Sequence, residues 1–126
     1  MDKVVHFEIP AANLNRAKTF YKNIFGWKIK DVPNMDYALI YTVAVDKKYM
    51  PKTAGAINGG MMMRDKTAKT PIFLISVASI DKYLKKIEAK GGKTTLPKQT
   101  VGEMGFYARF TDPEGNTVGL WENTGM

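Results

Sequence analysis

Two stretches of the chain repeat one pattern of apolar and polar positions. In the first, the alternating segment Val4-Val5-His6-Phe7-Glu8-Ile9 precedes Leu14, Ala17, Phe20, Tyr21, Ile24 and Phe25 at helical spacing, and the chain resumes at Gly26-Trp27-Lys28-Ile29. In the second, Ile72-Phe73-Leu74-Ile75-Ser76-Val77 precedes Ile80, Tyr83, Leu84 and Ile87, spaced i, i+3, i+4, i+7, before Gly91-Gly92-Lys93-Thr94. Asn13 and Ser79 are positioned as N-caps, and Gly26 and Gly91 as helix stops. The glycines recur about half a chain apart, the mark of a duplicated supersecondary unit. Each helix is amphipathic and needs a sheet to cover.

Short strands are expected at Trp27–Val32, Ala38–Val43, Ile57–Met63, Lys93–Thr95, Phe106–Thr111 and Thr117–Trp121, separated by Gly, Pro, Asn and Asp. Asp112-Pro113-Glu114-Gly115-Asn116 reads as the hairpin turn joining the last two. The expectation is an α+β fold: two β-α-β-β-β modules, about 1–66 and 67–126, in one domain of residues 1–126. They are expected to form a curved, mostly antiparallel eight-stranded cup with helices on its convex face. Function then belongs in the hollow between the copies.

Alternation sorts the lining of that hollow. If His6 and Gly119 face inward, so do Glu8, Thr117 and Trp121, while Val5, Phe7, Ile9, Val118 and Leu120 face the helices. On the neighbouring strand Phe106, Ala108 and Phe110 suit the helix side, leaving Tyr107 and Arg109 for the hollow. A guanidinium, a carboxylate, an imidazole and two aromatic rings describe a small-molecule pocket with a few oriented polar groups. Gly59, Gly60 and Gly119 either open volume for a ligand or relieve crowded contacts. Met61, Met62 and Met63 fill gaps or adapt to apolar ligands at a rim.

Composition narrows the class. A chain of 126 residues with 44% hydrophobic and 25% charged residues has the make-up of a soluble globular domain. Without cysteine it has no disulfide, thiolate metal site or cysteine nucleophile, which suits the cytoplasm. Its apolar runs are too short to span a bilayer, and from its alternating opening segment no secretion signal is expected. The net charge of +7 raises the question of nucleic acid, yet the lysines are scattered, with Lys82, Lys86 and Lys90 on one helix and Lys47, Lys48, Lys52, Lys66 and Lys69 in loops. A solvated basic surface is expected, with no nucleic-acid partner and a mild preference for anionic ligands.

The run His6-Phe7-Glu8-Ile9-Pro10 through Arg16-Ala17 and Phe20-Tyr21 to Phe25-Gly26-Trp27 resembles the start of the vicinal-oxygen-chelate superfamily, which includes glyoxalase I, extradiol dioxygenases, and fosfomycin and bleomycin resistance proteins. Gly59-Gly60-Met61, Gly91-Gly92-Lys93 and Asp112-Pro113-Glu114-Gly115-Asn116 leading to Gly119-Leu120-Trp121-Glu122 are similar to the glyoxalase-like group related to lactoylglutathione lyase. The resemblance covers essentially the whole chain and implies a fold more than a reaction, since one fold hosts many chemistries. Metal-dependent relatives hold a divalent ion with four side chains. The resemblance puts His6 on the first of these positions, Ile72 on the second-copy histidine, Gly119 on a glutamate, and Asn58, Gly59 or Gly60 on the other. His6 is the one match, so no metal and no other cofactor is expected, although a weakly held divalent ion is compatible.

Two readings follow. One is an enzyme related to lactoylglutathione lyase, a lyase or isomerase but not a metal-dependent glyoxalase I, in which His6 or Glu8 moves a proton beside a carbonyl and Arg109 stabilises negative charge. Its ligand is a small anionic or aromatic carbonyl compound. The other is a non-catalytic protein that sequesters a drug or electrophile between Trp121, Tyr107 and the methionines. Gly59, Gly60, Met62, Tyr107, Gly119 and Trp121 are the ligand-binding candidates in either case. The segment from Pro97 to Phe106 reads as a polar connection and a candidate lid. The superfamily resemblance and the frequency of twofold assembly favour a homodimer.

Overall fold

The computed structural model of the chain describes residues 1–124, so the last two positions of the expected second module lie outside the described residues. Eight strands and two helices, in the order β-α-β-β-β twice, give an α+β fold with mixed strand pairing. The backbone divides into two compact units, one of His6–Pro71 and one that joins Met1–Val5 to the chain from Ile72 onward.

In the His6–Pro71 unit, β1 (Val4–Ala11) from His6 onward, α1 (Leu14–Phe25), β2 (Lys28–Asp31), β3 (Tyr37–Tyr41) and β4 (Gly59–Met63) follow in sequence, and the strands lie in the order β2-β3-β4-β1. β1 runs parallel to β4, and β3 is antiparallel to both β2 and β4. Asn13 caps α1 by accepting the Arg16 N–H at 3.0 Å, and Gly26 ends it at φ 69°. Ala38, Ile40 and Met61 form the buried centre, with Phe7, Ile9, Leu14, Ala17, Tyr21, Trp27 and Ile29 packed on it. Tyr21 and Trp27 stack with centroids 5.0 Å apart. The expected apolar face of α1 is only partly covered. Phe20, Ile24 and Phe25 are each more than half exposed, because the Leu14-Ala17-Tyr21 stripe alone meets the sheet. β3 and β4 are shorter than their apolar runs, since the Asn58 side-chain oxygen takes the Thr42 and Val43 N–H groups at 2.8 and 3.2 Å.

The other unit contains β5 (Ile72–Ser76), α2 (Ile80–Ala89), β6 (Lys93–Val101), β7 (Gly105–Thr111) and β8 (Thr117–Asn123), with the strands in the order β5-β8-β7-β6. Its N-terminal residues join it through the Ser76 N–H, which donates to the Lys3 carbonyl at 2.9 Å. Val77, Ile80, Ala108 and Leu120 are its buried centre, packed by Tyr83, Leu84, Ile87, Phe106 and Phe110, as the alternation on β7 and the spacing on α2 require. Ser79 caps α2 through Lys82, and the Ile80 N–H is taken at 2.7 Å by the carboxylate of Glu122. The Asp112 carboxylate accepts the Glu114 and Asn116 N–H groups at 2.9 Å and fixes the hairpin turn.

The expected lid is not a loop. β6 continues to Val101, where the expected strand stopped at Thr95, and only a short turn separates it from β7. Gln99 and Thr100 pair with Tyr107 and Phe106. Pro97 is tolerated because β6 is an edge strand, with register shifts on either side of Leu96. Among the described residues no helix is long and apolar enough to cross a membrane.

Candidate functional site

In the His6–Pro71 unit, the face of the sheet away from α1 carries the polar chemistry. His6 and Glu8 share that face because they stand two apart on β1, and the register sets Glu8 beside Gly60 and Tyr37 beside Met62. The Tyr37 ring lies over Gly60, so close that a Cβ on Gly60 would overlap the phenol oxygen. That oxygen joins the two candidates on β1. His6 Nε2 is 3.2 Å from Tyr37 Oη, which donates to Glu8 Oε2 at 3.0 Å. Glu8 is 5% exposed, and it and Tyr37 each have further interactions. Burial lowers the His6 pKa from 6.5 to about 4, so the imidazole is neutral at physiological pH.

Tyr37 escaped the sequence reading. Its alternation with Ala38, Leu39, Ile40 and Tyr41 put it on this face, but only the register showed that it reaches His6 and Glu8.

In the other unit, β7 and β8 bring together the remaining candidates, with Tyr107 paired to Trp121 and Arg109 to Gly119. Arg109 Nε donates to Tyr107 Oη at 2.6 Å, and the two residues are 6% and 9% exposed. Each has further interactions. A buried, phenol-oriented guanidinium is suited to an oxyanion, since its fork of donors is planar and always charged. Trp121 directs its Nε1–H to Asn123 at 2.8 Å.

The glycines answer to crowding within each unit. Gly59 lies against Phe7, Gly60 beneath Tyr37, and a Cβ on Gly119 would stand 2.8 Å from Leu74 Cγ. Protein side chains thus occupy the room beside all three. Met61 is core, Met62 is 8% exposed on the His6 face, and Met63 is exposed.

The positions that the resemblance assigns to metal ligands in the His6–Pro71 unit do not fit a divalent ion. His6 Nε2 is bonded to Tyr37, the Asn58 oxygen is taken by backbone N–H groups, and Gly59 and Gly60 have no side chain. Among the described residues no cluster of three or more His, Cys, Asp or Glu side chains has the geometry of a metal site.

A cleft of about 340 Å³ lies between the start of α1 and the 31–37 segment, lined by Asn13, Lys18, Asp31, Asp36 and Tyr37 among others. A second, of about 410 Å³, is framed by Arg64, Asp65, Lys66 and Lys69. Neither contains His6 or Glu8.

Comparison with known proteins bears on the whole arrangement. The family model described as Glyoxalase/Bleomycin resistance protein/Dioxygenase superfamily matches residues 3–120. Among solved structures, the chain is similar to a hypothetical protein from Bacillus halodurans C-125, with 12% identity and a TM-score of 0.65 over 99% of this chain and 96% of that one. It is also similar to methylmalonyl-CoA epimerase from Streptomyces coelicolor, with 15% identity and a TM-score of 0.63 over 97% of each chain. A superfamily member from Vibrio splendidus 12B01 shows 13% identity and a TM-score of 0.61 over 98% and 99%. At these identities the likeness is one of fold. A search of curated protein sequences gives no match.

Proposed function

Because the chain belongs to the Glyoxalase/Bleomycin resistance protein/Dioxygenase superfamily, we propose that it binds a small carbonyl compound and moves a proton on the carbon next to that carbonyl. The observation that carries the reading is the Tyr37 hydroxyl bridging His6 and Glu8 in the His6–Pro71 unit. A buried carboxylate and a phenol on one sheet face form an acid–base pair. Glu8 takes the proton from carbon and returns it. His6 is a weak base at neutral pH, since a group whose pKa lies near 4 holds a proton too loosely there. The reaction is of the isomerase type, without a tightly held metal, and an epimerase among the structural neighbours is consistent with proton chemistry on this fold. For Arg109 we propose an oxyanion contact, on the strength of its burial and its bond to Tyr107. A homodimer in the cytoplasm belongs to the same reading, its assembly measurable by light scattering.

A second reading, sequestration without turnover, is favoured by one feature: the Tyr37 proton already occupies Glu8 Oε2 and weakens it as a base. One experiment separates the two. Candidate 2-oxo acids and hydroxyketones are incubated with the protein in deuterated buffer, and loss of the proton beside the carbonyl is followed by NMR. Catalysed exchange that Glu8→Gln abolishes while ligand-induced shifts persist supports proton transfer. Binding with no exchange above the buffer rate assigns the protein to the second reading.

A further inference from the structure

A phenol has a single proton, and the one on Tyr37 is donated to Glu8 Oε2 at 3.0 Å. At 3.2 Å from the same oxygen, His6 Nε2 therefore meets a lone pair and has to be the donor. A neutral imidazole carries one N–H, so assigning it to Nε2 leaves Nδ1 with a lone pair and no proton. His6 has no other hydrogen bond among the described residues, and its ring is half-buried. Gly60 keeps the order in place, because a side chain there would collide with the Tyr37 hydroxyl and push the ring away from both partners.

We infer that the Gly60–Tyr37–Glu8 arrangement locks His6 as its Nε2–H tautomer, so that Nδ1 reads the ligand and selects carbonyl compounds bearing an O–H or N–H donor beside the carbonyl. The inference rests on the proposed site but not on turnover there. It makes Tyr37 a positioning residue acting through His6. A carboxylate or ether oxygen facing Nδ1 would set lone pair against lone pair, whereas a hydroxyl or amide N–H would complete the chain ligand–Nδ1, Nε2–H–Tyr37, Tyr37–H–Glu8.

His6 is the sole histidine in the chain, so its ring nitrogens can be read without assignment. Long-range ¹H–¹⁵N NMR of the uniformly labelled protein at pH 7 is expected to show a protonated Nε2 and a pyridine-type Nδ1. Tyr37→Phe, which deletes the acceptor, is expected to bring a measurable Nδ1–H population. Hydroxyacetone is then compared with methoxyacetone, which differs by replacement of the hydroxyl proton with methyl. The expected result is a shielding of the Nδ1 resonance by hydroxyacetone and roughly tenfold weaker binding of methoxyacetone, the value of one neutral hydrogen bond. A predominantly Nδ1–H tautomer in the wild-type protein overturns the inference outright. Equal affinity for the two ketones, or an Nδ1 resonance that neither moves, overturns its ligand-reading half. Absence of proton exchange in the experiment above would leave both halves standing, so the two failures are distinguishable.

Discussion

Lowering the pH from 7.5 to 5 should destabilise this protein through His6. Burial favours the neutral His6 ring, with a pKa of about 4 in the folded chain against 6.5 when unfolded. Between those values the unfolded chain binds the proton more readily, so stability rises with pH through the window and falls as acid is added. At about 1.4 kcal/mol per tenfold change in protonation, the loss is about 2 kcal/mol by pH 5 and about 3 kcal/mol once the folded form also titrates. Asp46 and Asp112, whose pKa values are lowered by hydrogen bonds from backbone N–H groups of Met50 and Asn116, lose their contribution only as the pH falls below the ordinary carboxylate value of 3.8. Their window lies beneath that of His6. Urea denaturation at pH 7.5 and 5 measures the difference, expected as a fall of roughly 1 M in midpoint for a chain of this size. His6→Gln, which keeps a donor for Tyr37 and cannot titrate, should flatten the dependence. An equal loss of stability by wild type and variant between the two pH values, or a histidine that titrates near 6.5 by NMR, would refute this role for His6.

Substitutions at three positions test the local structure. Gly60→Ala should displace the Tyr37 ring, cost about 1–3 kcal/mol as overpacking does, and move the His6 ring resonances; an unaltered NMR spectrum would refute the close approach. Glu122→Ala removes the carboxylate that accepts the Ile80 N–H and should cost about 1–2 kcal/mol in urea denaturation, whereas Glu122→Gln, which keeps an acceptor, should cost less. Ile80→Ala empties a fully buried position where α2 meets its sheet and should cost about 2–5 kcal/mol, readable as a lower thermal midpoint.

Local chemistry made the elements legible. Asn13 and Ser79 cap the two helices and the Asp112 turn closes the last hairpin, all interactions within a few residues that a sequence displays directly. The faces were legible too, because period-two alternation put Phe7 and Ile9, and Ala108 and Leu120, in the helix-packed cores. Pro97 misled: in the sequence it looks like the start of a loop, yet an edge strand lacks one neighbour and accommodates a missing N–H.

The site was legible only in part, for a reason that the same faces explain. Alternation says which side a residue takes but not which residue of a distant strand it meets. His6 and Glu8 could be paired because they stand two apart on one strand. Tyr37 could not, because its contact with them passes through β4, which pairs with β1 on one side and β3 on the other. Gly60 was the available clue. A glycine inside a strand, between Gly59 and Met61, asks what fills the missing volume, and the answer lies in a large side chain on a neighbouring strand, not in empty space. Among the aromatic residues of β3, Tyr37 and Tyr41 share that face, and only the register Leu39↔Gly60 decides which one can bring its hydroxyl to Glu8. Register is set by the packing of the whole sheet, so the residue that organises the candidate site was hidden by the least local feature of the fold.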